Sequence, residues 1–126
     1  MNWQCTEAFV ALGSIALDSL VSFYSQLLGQ QPSPYQPGVY AEFRLPGLRL
    51  AIFLPKTDYQ TEFGQAQTGS MSICLQVTNL AEVIRELEAI NYPVGNIITA
   101  SHGRELYLYD PDGNRLIFYE PRQDIA

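Results

Sequence analysis

Few side chains in this sequence have the chemistry of a catalyst or a metal ligand. It holds one histidine, His102, and two cysteines, Cys5 and Cys74, which lie far apart and match no metal or redox spacing. A histidine alone reads as a solvated or loop-packing residue before it reads as a ligand. Cys74 as a nucleophile needs a base to generate its thiolate, and the strand arrangement set out below brings it no histidine, so it reads as structural. Glu7 and Glu105 are the carboxylates that would serve as general bases if packed beside aromatic rings, but nothing pairs either with an electrophilic centre. Asp110 and Asp112 fall in Asp110-Pro111-Asp112-Gly113-Asn114, whose Pro and Gly suit a tight turn, and read as turn formers. No Ser-His-Asp set, phosphate loop or nucleotide fingerprint is present. What remains is a recurrence of arginines and aromatic rings, whose meaning depends on the elements that carry them.

Those elements alternate between strand and helix signatures. Ala8 to Leu12 reads as a strand. Leu17, Leu20, Val21, Tyr24, Leu27 and Leu28 then recur at helical spacing, with Gly29 as a stop. Gln30 to Gly38 holds three prolines and reads as a loop. Val39 to Leu45 and Leu48 to Leu54 read as strands around the Pro46-Gly47 turn. The same plan then returns. Ser72 to Val77 is a strand, and Asn79 with Glu82 three residues on forms a helix-start capping pair. Leu80, Val83, Ile84 and Leu87 make the buried stripe, which ends at Tyr92-Pro93. Gly95 to Ala100 reads as an edge strand, and Glu105 to Tyr109 with Arg115 to Tyr119 as the last hairpin.

The repetition extends to individual letters. Arg49-Leu50-Ala51-Ile52-Phe53-Leu54-Pro55 lies over Arg115-Leu116-Ile117-Phe118-Tyr119-Glu120-Pro121 at an offset of about 66 residues. At a slightly shorter offset Leu17, Val21 and Tyr24 lie over Leu80, Ile84 and Leu87. Strand, helix and hairpin agree in one order, which chance similarity of a single segment would not produce. The sequence therefore reads as one domain, 1–126, with module one at about 6–55 and module two at about 70–121. A polar, Gly/Thr/Gln-rich linker joins them at about 56–69.

Bulk properties exclude several classes of function. At 126 residues and 47% hydrophobic content the chain buries a core without staples, and its cysteine use fits a reducing cytosol. The N-terminal residues carry no basic start or apolar run and do not read as a signal peptide. No stretch approaches the roughly 20 apolar residues that span a bilayer. The net charge is −6, with one lysine and six arginines, so neither nucleic acid nor an anionic membrane is an expected partner. Small molecules and other proteins remain.

Two tandem βαβββ modules, with Phe23-Tyr24 and Leu27-Leu28-Gly29 on the first helix and Tyr109-Asp110-Pro111-Asp112-Gly113-Asn114-Arg115 before the last strand, resemble the vicinal-oxygen-chelate superfamily of glyoxalases, bleomycin-resistance proteins and extradiol dioxygenases. The resemblance runs from about Thr6 to Pro121. It implies an α+β fold, a curved eight-stranded mixed sheet around a cavity with helices outside, and a homodimer, swapped or unswapped. Metal-bearing members present two histidines and a carboxylate, often with a fourth ligand, from facing strands. Carried over by position, the first ligand site, fourteen residues before Phe23, falls on Phe9, and its second-module counterpart on Ser72. The last-strand carboxylate site, four residues beyond Gly113, falls on Ile117, and the optional one near Ala51. Apart from Ser72, a weak ligand, none is a donor for a divalent cation, so no metal and no cofactor is expected.

The same positions imply which strand face looks inward, because side chains alternate. Glu7, Phe9, Ala11, Arg49, Ala51, Phe53, Ser70, Ser72, Cys74, Glu105, Tyr107, Tyr109, Arg115, Ile117 and Tyr119 fall on it. The other face (Val10, Leu12, Leu50, Ile52, Ile73, Leu75, Leu106, Leu108, Leu116, Phe118) is wholly apolar and should pack beneath the helices. Rings with a few polar groups among them suit a small-molecule pocket, with Arg49 and Arg115 to pair with an anion or stack on a planar ligand. In the fosfomycin-resistance branch that the last hairpin resembles, the position of Tyr107 contacts substrate. Three functions follow: a metal-independent cytoplasmic protein that binds a partly aromatic or anionic small molecule, a superfamily enzyme (lyase, isomerase or dioxygenase) using a carboxylate base or displaced metal, and an interaction domain whose cavity is filled by its own side chains. Exposed apolar residues in Pro32-Ser33-Pro34-Tyr35 and in the linker would favour the third.

Overall fold

The computed structural model describes residues 2–64 and 69–122, in two compact units, Met1–Gln65 and Ala66–Ala126. Unit one runs β1 (Val10–Gly13), α1 (Leu17–Leu28), β2 (Tyr35–Gln36), β3 (Tyr40–Leu45), β4 (Leu48–Phe53) and, after a 3-10 turn at Thr57–Tyr59, α2 (Gln60–Gly64). Unit two runs β5 (Ser72–Gln76), α3 (Leu80–Ala89), β6 (Ile98–Ala100), β7 (Gly103–Tyr109) and β8 (Arg115–Pro121). The eight strands form two open four-stranded sheets with orders β1-β4-β3-β2 and β5-β8-β7-β6. In each sheet the first strand pairs in parallel with the last, and the other pairs are antiparallel. The repeat seen in the letters is thus a repeat of topology, and the mixed α+β class follows from it.

Each unit is held by the apolar face that alternation predicts. Leu17, Leu20, Val21 and Tyr24 of α1 are buried, as are Phe43, Leu50 and Ile52 of the strands, and the Tyr24 and Phe43 rings lie 6.3 Å apart. In unit two Leu80 and Leu87 of α3 are buried together with Ile73, Leu106, Leu108, Leu116 and Phe118. Each such side chain withdrawn from water contributes roughly 1.5–3 kcal/mol before chain entropy is counted.

Local chemistry sets the ends of the elements. Gly29 takes φ 63° and closes α1, a left-handed conformation that costs glycine nothing. Pro46-Gly47 makes the two-residue turn between Leu45 and Leu48, with Gly47 at φ 75°. Asp110 is buried, and its carboxylate accepts from the backbone of Asp112 and Asn114 and from the Asn114 side chain, which builds the β7–β8 turn. Helix α3 ends at Ala89, earlier than Tyr92-Pro93, because Asn91 adopts φ 58° and Tyr92 N–H returns to Leu87 O. At its start the Asn79 side chain accepts from Ala81 N–H, while Leu80 N–H donates to Glu120 at 2.7 Å from the far strand.

Two stretches differ from the sequence expectation. The proline loop contains β2, whose two residues pair with Tyr40 and Ala41. Asp18 on α1 anchors that segment by accepting from Tyr35 OH (3.1 Å) and Gly38 N–H (2.9 Å), a tertiary tie that no local pattern signals. Within that loop Pro32 is buried and Tyr35 is exposed. Part of the linker, Thr57–Gly64, is helical, and it brings the Phe63 ring to 5.2 Å from Phe53 and into the space above Gly13. Residues 65–68 of the linker lie outside the described residues.

Candidate functional site

Strand register arranges the candidate side chains in rows on the face of each sheet opposite its helix. In unit one Ala11 pairs with Ala51, which pairs with Glu42, and the row before it carries Arg49 and Arg44, with the ring of Phe9, just before β1, against the Arg49 guanidinium. The row after it holds Gly13, Phe53 and Tyr40. In unit two the rows are Ser72–Arg115–Tyr109, Cys74–Ile117–Tyr107 and Gln76–Tyr119–Glu105. Phe9, Arg49 and Phe53 therefore share one face, and the eight candidates of unit two share the other unit's equivalent face.

Arg49 does not stand free for a ligand. Its guanidinium carbon sits 3.9 Å over the Phe9 ring, its Nε is 3.2 Å from Glu42 and its Nη1 is 3.4 Å from Glu7. Arg44 approaches the same Glu42 oxygen at 3.5 Å. The Glu42 side chain is only 9% exposed, and neither that oxygen nor Arg49 Nε has a hydrogen-bond partner among the described residues, so the pair is held by charge. Burial first, and then the Glu42 carboxylate that its hydroxyl meets, push the Tyr40 phenol above its ordinary pKa. A cleft of about 200 Å³ lies beside this cluster, lined by Glu7, Ala8, Arg44, Leu45, Gly47, Leu48 and Arg49. Tyr40, Glu42 and Arg44 were absent from the sequence candidates. The alternation of Tyr40-Ala41-Glu42-Phe43-Arg44-Leu45 carries the signal once β3 is set in register with β4.

The face of unit two is built differently. Arg115 donates to Ser72 Oγ at 3.2 Å, and among the described residues it has no carboxylate within ion-pair distance. Ile117 is half-buried at the centre, with Cys74 exposed on one side and Tyr107 39% exposed on the other. Tyr109 is 43% exposed in the Arg115 row. At the far end His102 Nε2 lies 3.3 Å from Glu105. The His102 ring is 5.4 Å from that of Tyr119, whose hydroxyl donates to His102 O at 3.0 Å. The loop histidine and Glu105, read separately in the sequence, are thus brought together. Cys74 has neither of them in its row.

The positions that would carry a metal hold Phe9, Ala51, Ser72 and Ile117, and no three His, Cys, Asp or Glu side chains converge among the described residues. This donor set does not fit a divalent cation in octahedral-type coordination. Among the described residues no helix is long and apolar enough to cross a membrane.

Comparison with known proteins places this geometry in a family. No curated protein sequence matches the chain. A glyoxalase/bleomycin-resistance protein from Catenulispora acidiphila DSM 44928 is similar in structure, with TM-score 0.70 and 22% identity over 91% of this chain and 97% of the other. A bleomycin-binding protein in complex with bleomycin gives TM-score 0.64 and 22% identity, covering 94% and 100%. A genomically encoded fosfomycin resistance protein from Listeria monocytogenes gives TM-score 0.73 at 14% identity, covering 97% and 98%. At such identities the likeness is one of fold. The model of the glyoxalase/bleomycin resistance protein/dioxygenase superfamily matches residues 9–118, and the chain belongs to that superfamily.

Proposed function

We propose that this chain is a metal-independent, cytoplasmic small-molecule-binding protein of the glyoxalase/bleomycin-resistance type. The observation that carries the reading is an asymmetry between the two faces of the unit-two sheet. On one face Leu106 and Leu116 are 0% exposed, while on the other Tyr107 and Tyr109 keep 39% and 43% of their surface open. Exposed rings flanked by a few fixed polar groups supply what a ligand site needs: area to cover and donors to orient. The set Phe9, Ala51, Ser72 and Ile117, in which Ser72 alone offers a weak donor, argues against the metal-assisted chemistry of the superfamily. The fold likeness to a protein that holds bleomycin supports a small-molecule-binding role. A homodimer is part of the proposal, since each open sheet leaves strand edges that a second copy would cover.

A thermal-shift screen of aromatic metabolites, run in chelator and again with Mn, Ni or Zn added, tests this reading. Ligands should raise Tm equally in both conditions. Tyr107→Ala should stay folded and lose the shift, and Tyr107→Phe should lose only a hydroxyl contact of about 0.5–1.5 kcal/mol. A protein that no compound stabilises, and whose Tyr107→Ala variant melts early, would instead have a face closed by its own rings.

The His102–Glu105 contact favours a second reading, a metal-free enzyme in which Glu105 moves a proton and His102 orients it. That reading requires product formation that Glu105→Gln abolishes without weakening binding.

A further inference from the structure

The topologically equivalent faces of the two units differ in how their arginines are neutralised, and the difference has chemical consequences. In unit one Arg49 is matched by two carboxylates, Glu42 and Glu7, so that face offers no uncompensated cation. Among the described residues, the equivalent Arg115 of unit two meets the hydroxyl of Ser72 and no carboxylate. Four residues further along the same strand, Tyr119 stands opposite Glu105, whose carboxylate lies, among the described residues, 3.3 Å from the imidazole of His102. Between the ends lie Ile117 and Tyr107, an uncharged and partly aromatic floor.

We propose that the unit-two face selects a zwitterionic ligand: an anionic group on Arg115 and Ser72, a flat apolar body over Ile117 and Tyr107, and an amine at Glu105. This rests on the binding reading above and specifies its substrate class. A strand rises about 3.3 Å per residue, so Arg115 and Tyr119 are separated by about 13 Å along β8. Arg115 is turned onto Ser72 in its own row and Glu105 onto His102 at the outer end, which suits charges on the order of 10–13 Å apart in the ligand. The guanidinium presents a planar fork that matches a carboxylate or phosphonate. An ammonium gains from the Glu105 charge and from the faces of the Tyr107 and Tyr119 rings that flank it. Reversing the ligand would set like charges together at both ends, so the face also fixes orientation.

The test is calorimetric titration of the full chain with four para-linked biphenyls: one with a carboxylate at one end and an aminomethyl group at the other, one with the carboxylate alone, one with the aminomethyl group alone, and a neutral hydroxymethyl compound. The zwitterion should bind tightest, with each charged group contributing roughly a tenfold gain over the neutral compound. Arg115→Met should remove the gain from the carboxylate and keep that from the amine, and Glu105→Gln should do the reverse. The ranking of the four probes on the unmodified protein stands as a test even if a variant fails to fold. Equal affinity for the neutral compound and the zwitterion would overturn the charge assignment and leave an aromatic binding face intact. Failure of all four to bind would overturn the binding reading together with it.

Discussion

Arg49→Met separates a structural arginine from a ligand-holding one. The methionine keeps most of the stem and removes the guanidinium from Glu42, whose side chain is 9% exposed, and from the more exposed Glu7. Breaking a buried ion pair on one side costs about 3–5 kcal/mol, because the remaining charge has lost its compensation. Here Arg44 stays at 3.5 Å from Glu42 with 65% of its side chain in solvent, which offsets part of the loss and leaves about 2–3 kcal/mol. A chain of this length has an unfolding entropy of about 0.26 kcal/mol/K, so Tm should fall by about 8–12 °C. Arg115→Met breaks a contact to a hydroxyl only and should cost less than about 1 kcal/mol, or about 4 °C. The double variant Glu42→Gln with Arg49→Met should recover at least about 1 kcal/mol relative to Arg49→Met alone. Calorimetry on the four proteins checks this. Equal melting of the two arginine variants, or an Arg49→Met protein within about 2 °C of the parent, would refute the claim that Arg49 is bound up by Glu42 and Glu7.

Two further outcomes follow from backbone and cap geometry. A Cβ on Gly103, which pairs with Pro121 across β7 and β8, would sit 2.2 Å from Glu120 O at φ +153°, so Gly103→Ala should lose at least about 2 kcal/mol in urea unfolding. Glu120 has its pKa lowered, first by the Leu80 N–H and then by Arg104. A carboxylate with a depressed folded-state pKa stabilises above its unfolded pKa of about 4.3 and loses that contribution as pH falls through the folded value. The Tm difference between the parent and Glu120→Gln should therefore be largest near neutral pH and vanish in strong acid.

The fold was legible because its signals are local and doubled. The stripe of Leu17, Leu20, Val21 and Tyr24, the αL stop at Gly29 and the Asp110 turn each depend on residues a few positions apart, and the second module repeats the first two-period pattern. The strand faces followed from alternation, and Leu50, Ile52, Leu106 and Leu116 are buried as that alternation requires. What stayed hidden depends on tertiary pairing. The edge strand at Tyr35–Gln36 exists because Asp18 and β3 hold it, and a run of prolines argues against strand on its own. The role of Glu42 emerged only when β3 was registered against β4, since an isolated glutamate between alanine and phenylalanine carries no sign of the arginine opposite. His102 and Glu105 are three residues apart, but a tight bend into β7, not helical spacing, turns the imidazole onto the carboxylate. Arg49 and Arg115 looked equivalent in the repeat, and only their neighbours distinguish a neutralised cation from an available one.

Native mass spectrometry of the protein purified from its own host tests metal-independent ligand binding most directly, since it weighs bound metal, bound organic molecule and subunit number together. The expected species carries no stoichiometric metal and holds an organic molecule, released when Tyr107 is changed to Ala. Near one equivalent of Zn, Ni, Fe or Mn, lost when residues around Phe9, Ser72 and Ile117 are changed, would contradict it.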